Sequence, residues 1–242
     1  MLAPLAQGGA PVIPDFGGGG KCVRDNHFFC WDWFSDNWSD TFQPRLIEHI
    51  WLTVLALGIG FGIAFLAALF AHRHGWFEFP FVAVSSFLYT IPSLALFQVL
   101  VGITGLTLTT ALIPLVSYTL LILFRNTLIG LREVPEEVRE SARGMGLTKR
   151  QTLFRVELPL ALPAILAGLQ IAAVTVVSLA TVAAFVYDHG LGAPIFEAIN
   201  RGTFNTELIG AGVLAILLGI LSYAVFAAIQ WVATPWTRAR RT

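Results

Sequence analysis

The sequence predicts an all-α, polytopic membrane protein. Hydrophobic residues make up 56% of the 242 residues and charged residues only 12%, whereas about a quarter of the residues of soluble domains are charged. A spanning helix needs roughly 20 mostly apolar residues, because lipid offers no hydrogen-bond partners to unpaired backbone groups. Five segments reach that length, and we place them at residues 46–71, 79–103, 107–128, 159–187 and 207–233.

The distribution of cations predicts the orientation of these spans, because short cytoplasmic loops collect Lys and Arg. With five spans the termini lie on opposite faces, and most cations fall on one face if the C-terminus is inside. That face then holds Arg73, Arg125, Arg132, Arg139, Arg143, Lys149, Arg150, Arg155, Arg238, Arg240 and Arg241, which are eleven of the fifteen Lys and Arg residues. We therefore expect a multi-pass protein of the cytoplasmic (inner) membrane with its N-terminus outside and its C-terminus inside.

The chain divides accordingly into an exported N-terminal tail (1–45), a transmembrane domain (46–233) with a cytoplasmic loop (130–158), and a basic cytoplasmic tail (234–242). The start of the exported tail is rich in Gly and Pro and is expected to be flexible. It lacks the basic region and apolar core of a signal peptide. The net charge of zero does not indicate a nucleic-acid partner.

Two features of the exported tail leave alternatives open. Cys22 and Cys30 are the only cysteines, and they fall on the face predicted to be oxidising, where a disulfide could close a small loop. Two unpaired thiols are the alternative. The Trp and Phe residues between positions 28 and 38 are typical of the interface belt ahead of a span, and a cation-binding aromatic cage is the alternative.

The sequence contains no recognisable catalytic, nucleotide or metal site. Residues 17–22 (GGGGKC) resemble a phosphate loop, but Asp15 and Cys22 stand where that motif needs Gly and Ser or Thr. His72 and His74 lack a third metal ligand, so a solvated basic turn is expected there. The spans carry almost no acids or bases, which argues against a proton relay or an intramembrane protease. We predict a non-enzyme without a cofactor of its own.

A charged stretch of about thirty residues interrupts the apolar sequence before the fourth span. Pro135 suits the first turn of a helix, acids follow it where the helix dipole favours them, and Gly144 or Gly146 can end the helix. Thr148 and Gln151 have the spacing of a capping box, which predicts a second helix. The expected form is helix, glycine turn, helix.

An amphipathic helix outside the bilayer has two uses. It lies on the lipid surface, or it docks in the groove of another protein. The acids of this segment oppose adsorption to an anionic leaflet, and the small Ser141 and Ala142 permit close approach of a partner. These features favour docking.

Residues 140–159 read E-S-A-x3-G-x9-V-x-L-P, which resembles the EAA loop of binding-protein-dependent ABC importer permeases, E-A-A-x3-G-x9-I-x-L-P. Ser141 for Ala and Val156 for Ile are the two departures. The resemblance implies a five-helix permease core whose coupling helix docks on a cytoplasmic ATPase, which would hold the ATP and Mg. The residues to which it assigns this coupling are Glu137, Glu140, Ser141, Ala142, Arg143, Gly144, Gly146 and Pro159.

Stretches at 90–97, 123–146, 156–174 and 189–202 are similar to the osmoprotectant branch of these permeases, which imports glycine betaine, choline and carnitine. The resemblance implies an ATP-driven permease that passes a small quaternary amine from a solute-binding protein into the cytoplasm. An importer of polar amino acids or another small solute is the alternative within this class. A channel, or a membrane anchor for a cytoplasmic complex, is the alternative outside it.

A path for a polar solute needs polar or small side chains on one face of several helices. The candidates in the second and fourth spans are Ser86, Tyr89, Thr90, Ser93, Gln98, Gln170, Thr175, Ser178 and Thr181. Helix packing is the alternative role, because Ser and Thr also fill close helix contacts in membranes. Five spans do not readily enclose a path alone, so we expect a second copy or a related permease as a partner.

The outer loop at residues 188–206 is the last candidate region. The resemblance implies that it receives the solute-binding protein and helps to gate the path. The candidates for this role are Asp188, Gly190, Gly192 and Glu197. An ordinary loop turned by glycines is the alternative.

Overall fold

The computed structural model describes residues 20–237. The start of the predicted tail and Arg238, Arg240 and Arg241 of the predicted basic tail lie outside the described residues. Within that range the secondary structure is helical, without a strand. The α-helices are α1 (Lys21–Arg24), α2 (Trp31–Asp36), α3 (Gln43–Arg73), α4 (Glu78–Thr90), α5 (Ser93–Thr104), α6 (Leu108–Arg132), α7 (Glu136–Gly144), α8 (Lys149–Thr152), α9 (Leu158–Ala183), α10 (Gly192–Asn200) and α11 (Asn205–Ala233).

Four of the described helical stretches are long and apolar enough to cross a membrane. These are Trp38–Arg73, which includes α3 and the π-helical turn before it, Leu108–Arg132 (α6), Lys149–Ala183, which joins α8 to α9 through a π-helical turn, and Asn205–Ala233 (α11). They match the first, third, fourth and fifth predicted spans. Sustained apolar composition therefore located these helices correctly.

The predicted second span, 79–103, is not one straight helix. α4 and α5 are bent by 96° at a short break. Ile91 in the break has φ −66° and ψ 129°, because a residue before proline is pushed out of the helical region and Pro92 has no N–H to continue the helix. The described residues thus contain four spanning helices, or five if α4 and α5 count as one broken span.

The bundle is built around α6 and α9. α6 packs against α3 and α9, and α9 packs in turn against α11. Alanines fill much of the buried cluster between α3, α6 and α9, including Ala64 and Ala68 on α3 and Ala161 and Ala172 on α9. Such small residues let helices approach closely. We call the end of the bundle that carries α7 and α8 the α7 end, and the opposite end the cap end.

Residues 20–42, which the sequence assigned to a tail, form a folded cap at the cap end. Cys22 and Cys30 are joined by a disulfide. The side chain of Trp33 packs edge-on against Phe204, with ring centroids 4.7 Å apart, whereas Trp31 remains 69% exposed. Some of the aromatic residues thus pack against the bundle and others remain exposed. Residues 20–42 are therefore folded onto the bundle rather than forming a free tail.

Hydrogen bonds hold this cap on the turn before α11. The backbone N–H of Cys30 donates to Thr206 Oγ1 at 2.9 Å. The side chain of Asn26 donates to the carbonyl oxygen of Thr203 at 2.9 Å and accepts from the N–H of Asn205 at 3.0 Å. The cap thereby fixes the connection between α10 and α11.

Replacing both cysteines with serine is expected to loosen the cap, because a disulfide that closes a loop of this size stabilises by about 2–3 kcal/mol. The measurement is the rate of trypsin cleavage after Arg24, which is exposed, in the purified protein. Cleavage should accelerate in the double variant and in reduced wild-type protein, while reductant should not change the variant further. Equal cleavage rates in oxidised wild type and variant would contradict the expectation.

Candidate coupling segment and solute path

The helix, turn, helix form predicted for the charged segment is present. Pro135 precedes α7, and acids occupy its first turn. Gly146 has φ +82°, a left-handed conformation that glycine adopts without strain. Thr148 and Gln151 form the capping box that starts α8, with both of its reciprocal hydrogen bonds. Local sequence signals therefore placed both ends of this segment correctly.

Most of the predicted coupling residues share one accessible surface. The exposed ones are Glu137, Glu140, Ser141, Arg143, Gly144 and Gly146. Ala142 is only 1% exposed, so it faces the protein and does not offer its side chain to a partner. Pro159 lies in the first turn of α9. Met145, which the sequence did not single out for this role, is 72% exposed beside this surface.

Arg139, on the opposite side of α7, was missed as a site residue. Its Nε donates to Glu157 Oε1 at 3.0 Å, and its two other guanidinium nitrogens donate to Glu136 Oε2 at 3.0 Å and to the carbonyl oxygen of Leu131 at 2.8 Å. Glu157 also accepts a hydrogen bond from His72 Nε2 at 3.1 Å. The prediction of a solvated turn is therefore wrong for His72, because its side chain is only 15% exposed and is hydrogen-bonded to Glu157. An acid at the start of an apolar run was the signal that could have pointed to Glu157.

Glu136 is the carboxylate that joins the two arginines of α7. The hydrogen bond from Arg139 holds the pKa of Glu136 below its usual range, and the nearby charge of Arg143 acts in the same direction. Because the pKa is lowered in the folded state, the stabilisation by this pair is present above the ordinary carboxyl pKa and is lost only as the pH falls through the lowered value. The pair is therefore intact at neutral pH.

A cavity of about 560 Å³ opens where α4 and α5 meet. Five predicted path residues line it, namely Tyr89, Thr90, Ser93, Thr175 and Ser178. Tyr118 of α6 also lines the cavity and donates a hydrogen bond from its hydroxyl to the carbonyl oxygen of Ile91 in the break. The sequence missed Tyr118, although a lone tyrosine in the middle of an apolar span was a visible signal.

The other predicted path residues lie elsewhere. Ser86 is half-buried on α4, and Gln98 is exposed on α5. Thr181, with Ser178, lines a second cavity of about 500 Å³ between α9 and α11. Gln170 is buried at the contact of α9 with α11, where its side chain donates to Gln230 Oε1 at 2.6 Å. This contact favours the packing role for Gln170, because its side-chain amide forms a hydrogen bond between two helices.

The loop after α9 is fastened to the start of α3. Glu48 Oε2 accepts the N–H of Gly190 at 2.9 Å. His49 Nδ1 accepts the N–H of Leu191 at 3.1 Å, and its Nε2 donates to the carbonyl oxygen of Val177 at 3.1 Å. The fully buried His49 is therefore a neutral imidazole that connects α3, α9 and this loop. The sequence did not indicate its role.

The predicted gate residues lie on and beside α10, a helix that replaces the expected loop between 192 and 200. The side chain of Arg45 donates to the carbonyl oxygen of Asp188 at 2.6 Å. Glu197 is paired with Arg201, which directly follows α10. Gly192 sits against α9, where a Cβ atom would lie 2.0 Å from the carbonyl oxygen of Thr181. Packing therefore requires glycine at this position.

Gly192→Ala is expected to destabilise the protein by about 1–3 kcal/mol, since the added methyl must displace backbone. The measurement is the thermal unfolding midpoint in detergent. Gly58→Ala on α3 is the matched control, because nothing lies within 4 Å of its added Cβ. If both variants unfold at the wild-type temperature, the close approach of α10 to α9 is not as described.

An apolar bundle with a cavity, lined in part by hydroxyl side chains, at a broken helix and an exposed helical segment at one end is the arrangement expected of a membrane transport subunit. The family profile of the binding-protein-dependent transport system inner membrane component matches residues 55–238. The chain belongs to this family, and it is a transport subunit of a multi-pass inner-membrane system rather than an enzyme.

Two curated relatives indicate the branch. The chain is 33% identical over 195 residues to the glycine betaine/carnitine/choline transport system permease protein OpuCD of Bacillus subtilis, covering 81% of this chain and 80% of that protein. It is 43% identical over 158 residues, or 65% of this chain, to the ergothioneine transport permease/ergothioneine binding protein EgtU of Helicobacter pylori. The matched region is only 28% of the length of that second protein.

The fold is also found in a solved transporter. A chain of the MetNI methionine ABC transporter in an inward-facing conformation superimposes with a TM-score of 0.65, covering 78% of this chain and 96% of that chain. At 21% sequence identity, this likeness shows the fold alone.

Proposed function

We propose that this chain is the membrane-spanning subunit of an ATP-driven importer that passes a small quaternary amine, such as glycine betaine, carnitine or choline, from a solute-binding protein into the cytoplasm. The observation that carries the proposal is the exposed face of α7, which presents Glu137, Glu140 and Ser141 outside an otherwise apolar bundle. A docking helix of this kind needs a partner groove. Family membership indicates that a cytoplasmic ATPase supplies it.

In this mechanism the ATPase binds ATP and Mg and hydrolyses the ATP, and this chain converts the movement of α7 into a change of the path. Packed helices shift as rigid bodies rather than deforming continuously. Movement of α7 would therefore change the access of the cavity at the α4–α5 break from one side of the membrane to the other.

The chemistry of the cavity supports a quaternary amine as cargo. The rings of Tyr89 and Tyr118 meet edge-on with centroids 5.7 Å apart at its wall, and quaternary ammonium groups favour aromatic faces. The side chains described as lining this cavity carry no charge, so a cationic or zwitterionic solute would pass without being trapped by a fixed counter-charge. Selection among solutes would then fall mainly to the binding protein.

The relative EgtU supports ergothioneine, also a trimethylammonium betaine, as a second candidate cargo. The 43% identity of the matched region is higher than that to OpuCD. Both candidates carry the same cationic group, so the same aromatic wall would serve either of them.

We further propose that the α7 end is cytoplasmic and that a second permease chain completes the path. The exposed cations Arg132, Arg143 and Lys149 at the α7 end support this orientation, and the disulfide of the cap supports an oxidising compartment at the cap end. Tyr89 is 41% exposed at the cavity wall, which leaves this side of the cavity accessible to another surface. A second copy related by twofold symmetry, or a related permease, would do so.

The test is reconstitution of the complex with its ATPase and solute-binding protein in liposomes. The measured quantities are the stimulation of ATP hydrolysis and the accumulation of solute in the liposomes. The solutes tested are glycine betaine, carnitine, choline and ergothioneine, with glutamine as the polar amino-acid control. Stimulation and accumulation by at least one quaternary amine support the proposal. Solute flux without ATP would instead identify a channel, and stimulation by glutamine alone would identify an amino-acid importer.

A further inference from the structure

Three largely buried side chains at the α7 end, each 10–16% exposed, connect α7 to the membrane helices. Arg139 Nε lies 3.0 Å from Glu157 Oε1, and Glu157 Oε2 lies 3.1 Å from His72 Nε2. His72 belongs to the last turn of α3, Glu157 immediately precedes α9, and Leu131, whose carbonyl oxygen accepts from Arg139 at 2.8 Å, lies at the end of α6. We call His72, Glu157 and Arg139 the α7 joint.

The α7 joint differs from the other ion pairs at this end in its burial. The side chains of Arg139 and Glu157 are 16% and 10% exposed, whereas those of Arg132 and Glu78, which pair nearby, are 48% and 36% exposed. An exposed pair contributes little to stability, but removing one partner of a buried pair leaves a charge without compensation. Breaking the α7 joint therefore costs more free energy than breaking an exposed pair. We expect its hydrogen bonds to persist when α7 moves.

Arginine is the residue type that can make this connection. Three nitrogens of one guanidinium reach acceptors on three separate segments, the first turn of α7, the end of α6 and the residue before α9. Lysine would bring the same charge, but its ammonium group is a single point without a planar fork. The geometry of the site thus depends on shape as well as on charge.

Apart from the α7 joint, few contacts attach the segment between Pro135 and Gly146 to the membrane helices. Pro135 precedes α7 and Gly146 follows it, so the helix is interrupted at both ends. Among the described residues of α7, only the methyl group of Ala142 is fully buried. The other main contacts of α7 are to α8 and to the π-helical turn before α9, so loss of the α7 joint is expected to let α7 tilt between these two breaks when a partner pushes on its exposed face.

We propose that Arg139, Glu157 and His72 are positioning residues that make α7 move as one body with the ends of α3, α6 and α9. This inference rests on the proposed function, because it assumes that a partner displaces α7. It assigns the transmission of that displacement to three side chains outside the EAA-like motif positions. Loss of the α7 joint leaves the docking face intact and separates it from the bundle.

The test compares Arg139→Gln, Glu157→Gln and the double variant in the complete complex with ATPase and binding protein. The measured quantity is the number of ATP molecules hydrolysed per solute imported. Each single variant is expected to raise this ratio about tenfold while the ATPase stays bound, and the double variant should be no worse than either single one, because both break the same connection. Arg139→Lys is expected to recover only part of the loss.

Arg132→Gln is the matched control, because it removes an arginine from an exposed pair at the same end. It is expected to hydrolyse and import at the wild-type ratio. A wild-type ratio in Glu157→Gln, which preserves the shape of the side chain, would overturn the inference even if the Arg139 variants failed to assemble. Additive effects in the double variant would also overturn it.

A distance measurement separates this role from simple stabilisation. With spin labels at Met145, which directly follows α7 and is 72% exposed, and at His74, which is exposed, the wild-type distance is expected to be the same with and without ATP, since both sites move together. In Glu157→Gln the distance should broaden and change with ATP. An unchanged distance in that variant counts against the inference. If the wild-type complex itself shows no solute-stimulated hydrolysis, the proposed function fails, which is a different result.

Discussion

Gly146→Pro is expected to abolish coupled import while the ATPase continues to hydrolyse ATP. Gly146 has φ +82°, and its N–H donates to the carbonyl oxygen of Arg143 at 2.9 Å. Proline fixes φ near −65° and has no N–H, so the turn between α7 and α8 cannot form, at a cost of about 3 kcal/mol or more. An energy of this size lowers the population of the docked conformation about a hundredfold. The measurement is solute import and ATP hydrolysis in the same liposomes.

Gly105→Pro is the matched control for this prediction. Gly105 also has a positive φ, of 70°, and its N–H donates to Val101 at 2.9 Å at the end of α5. The two substitutions therefore impose the same local strain at different ends of the bundle. If Gly105→Pro uncouples import as strongly as Gly146→Pro, the effect reports general strain and not the coupling turn.

Glu140→Lys tests the same face of α7 without a change of backbone. Its side chain is exposed, so the fold should be retained and the thermal midpoint should stay within a few degrees of wild type, as is usual for surface substitutions. Reversal of its charge is expected to weaken docking to the ATPase and to reduce import at least about tenfold. Wild-type import in this variant would contradict the assignment of the face.

Replacing Thr175 and Ser178 together with leucine is expected to block the solute path. Both residues line the cavity at the α4–α5 break, and leucine removes their polar atoms and fills part of the space. Import should fall at least about tenfold, because a polar solute then has to give up hydrogen bonds without replacement. The measurement is accumulation of the cargo identified in the reconstituted complex, at equal amounts of protein.

Ser222→Leu on α11 is the control for the path variant. Ser222 donates to the carbonyl oxygen of Gly219 at 2.8 Å within its helix, as Thr175 does to that of Ile171 at 2.9 Å. Ser222 is not among the residues lining either cavity described above. It should therefore import at the wild-type rate. Full transport by the double leucine variant, with normal expression, would exclude the cavity as part of the path.

Particular elements show how far sequence reasoning reached. The capping box at Thr148 and a left-handed glycine at position 144 or 146 followed from local signals, and the structure has the capping box and a positive φ at Gly146. The bend at Pro92 was missed because hydropathy averages over a window and does not register a change of direction. Gln170 was assigned to the path by its polarity, and its buried bond to Gln230 could not be foreseen because the partner is sixty residues away.

The sequence by itself determined which segments are long and apolar enough to cross a membrane, where the charged helical segment begins and ends, and which family the chain resembles. These properties depend on composition and on spacings of a few residues, which chain-local physics controls. Tertiary structure alone decided that Glu157 joins His72 to Arg139, that the cap packs on α11, and that Tyr118 lines the cavity at the α4–α5 break. Those contacts join residues as far as 179 positions apart, and only the packing of the helices sets which distant side chains meet.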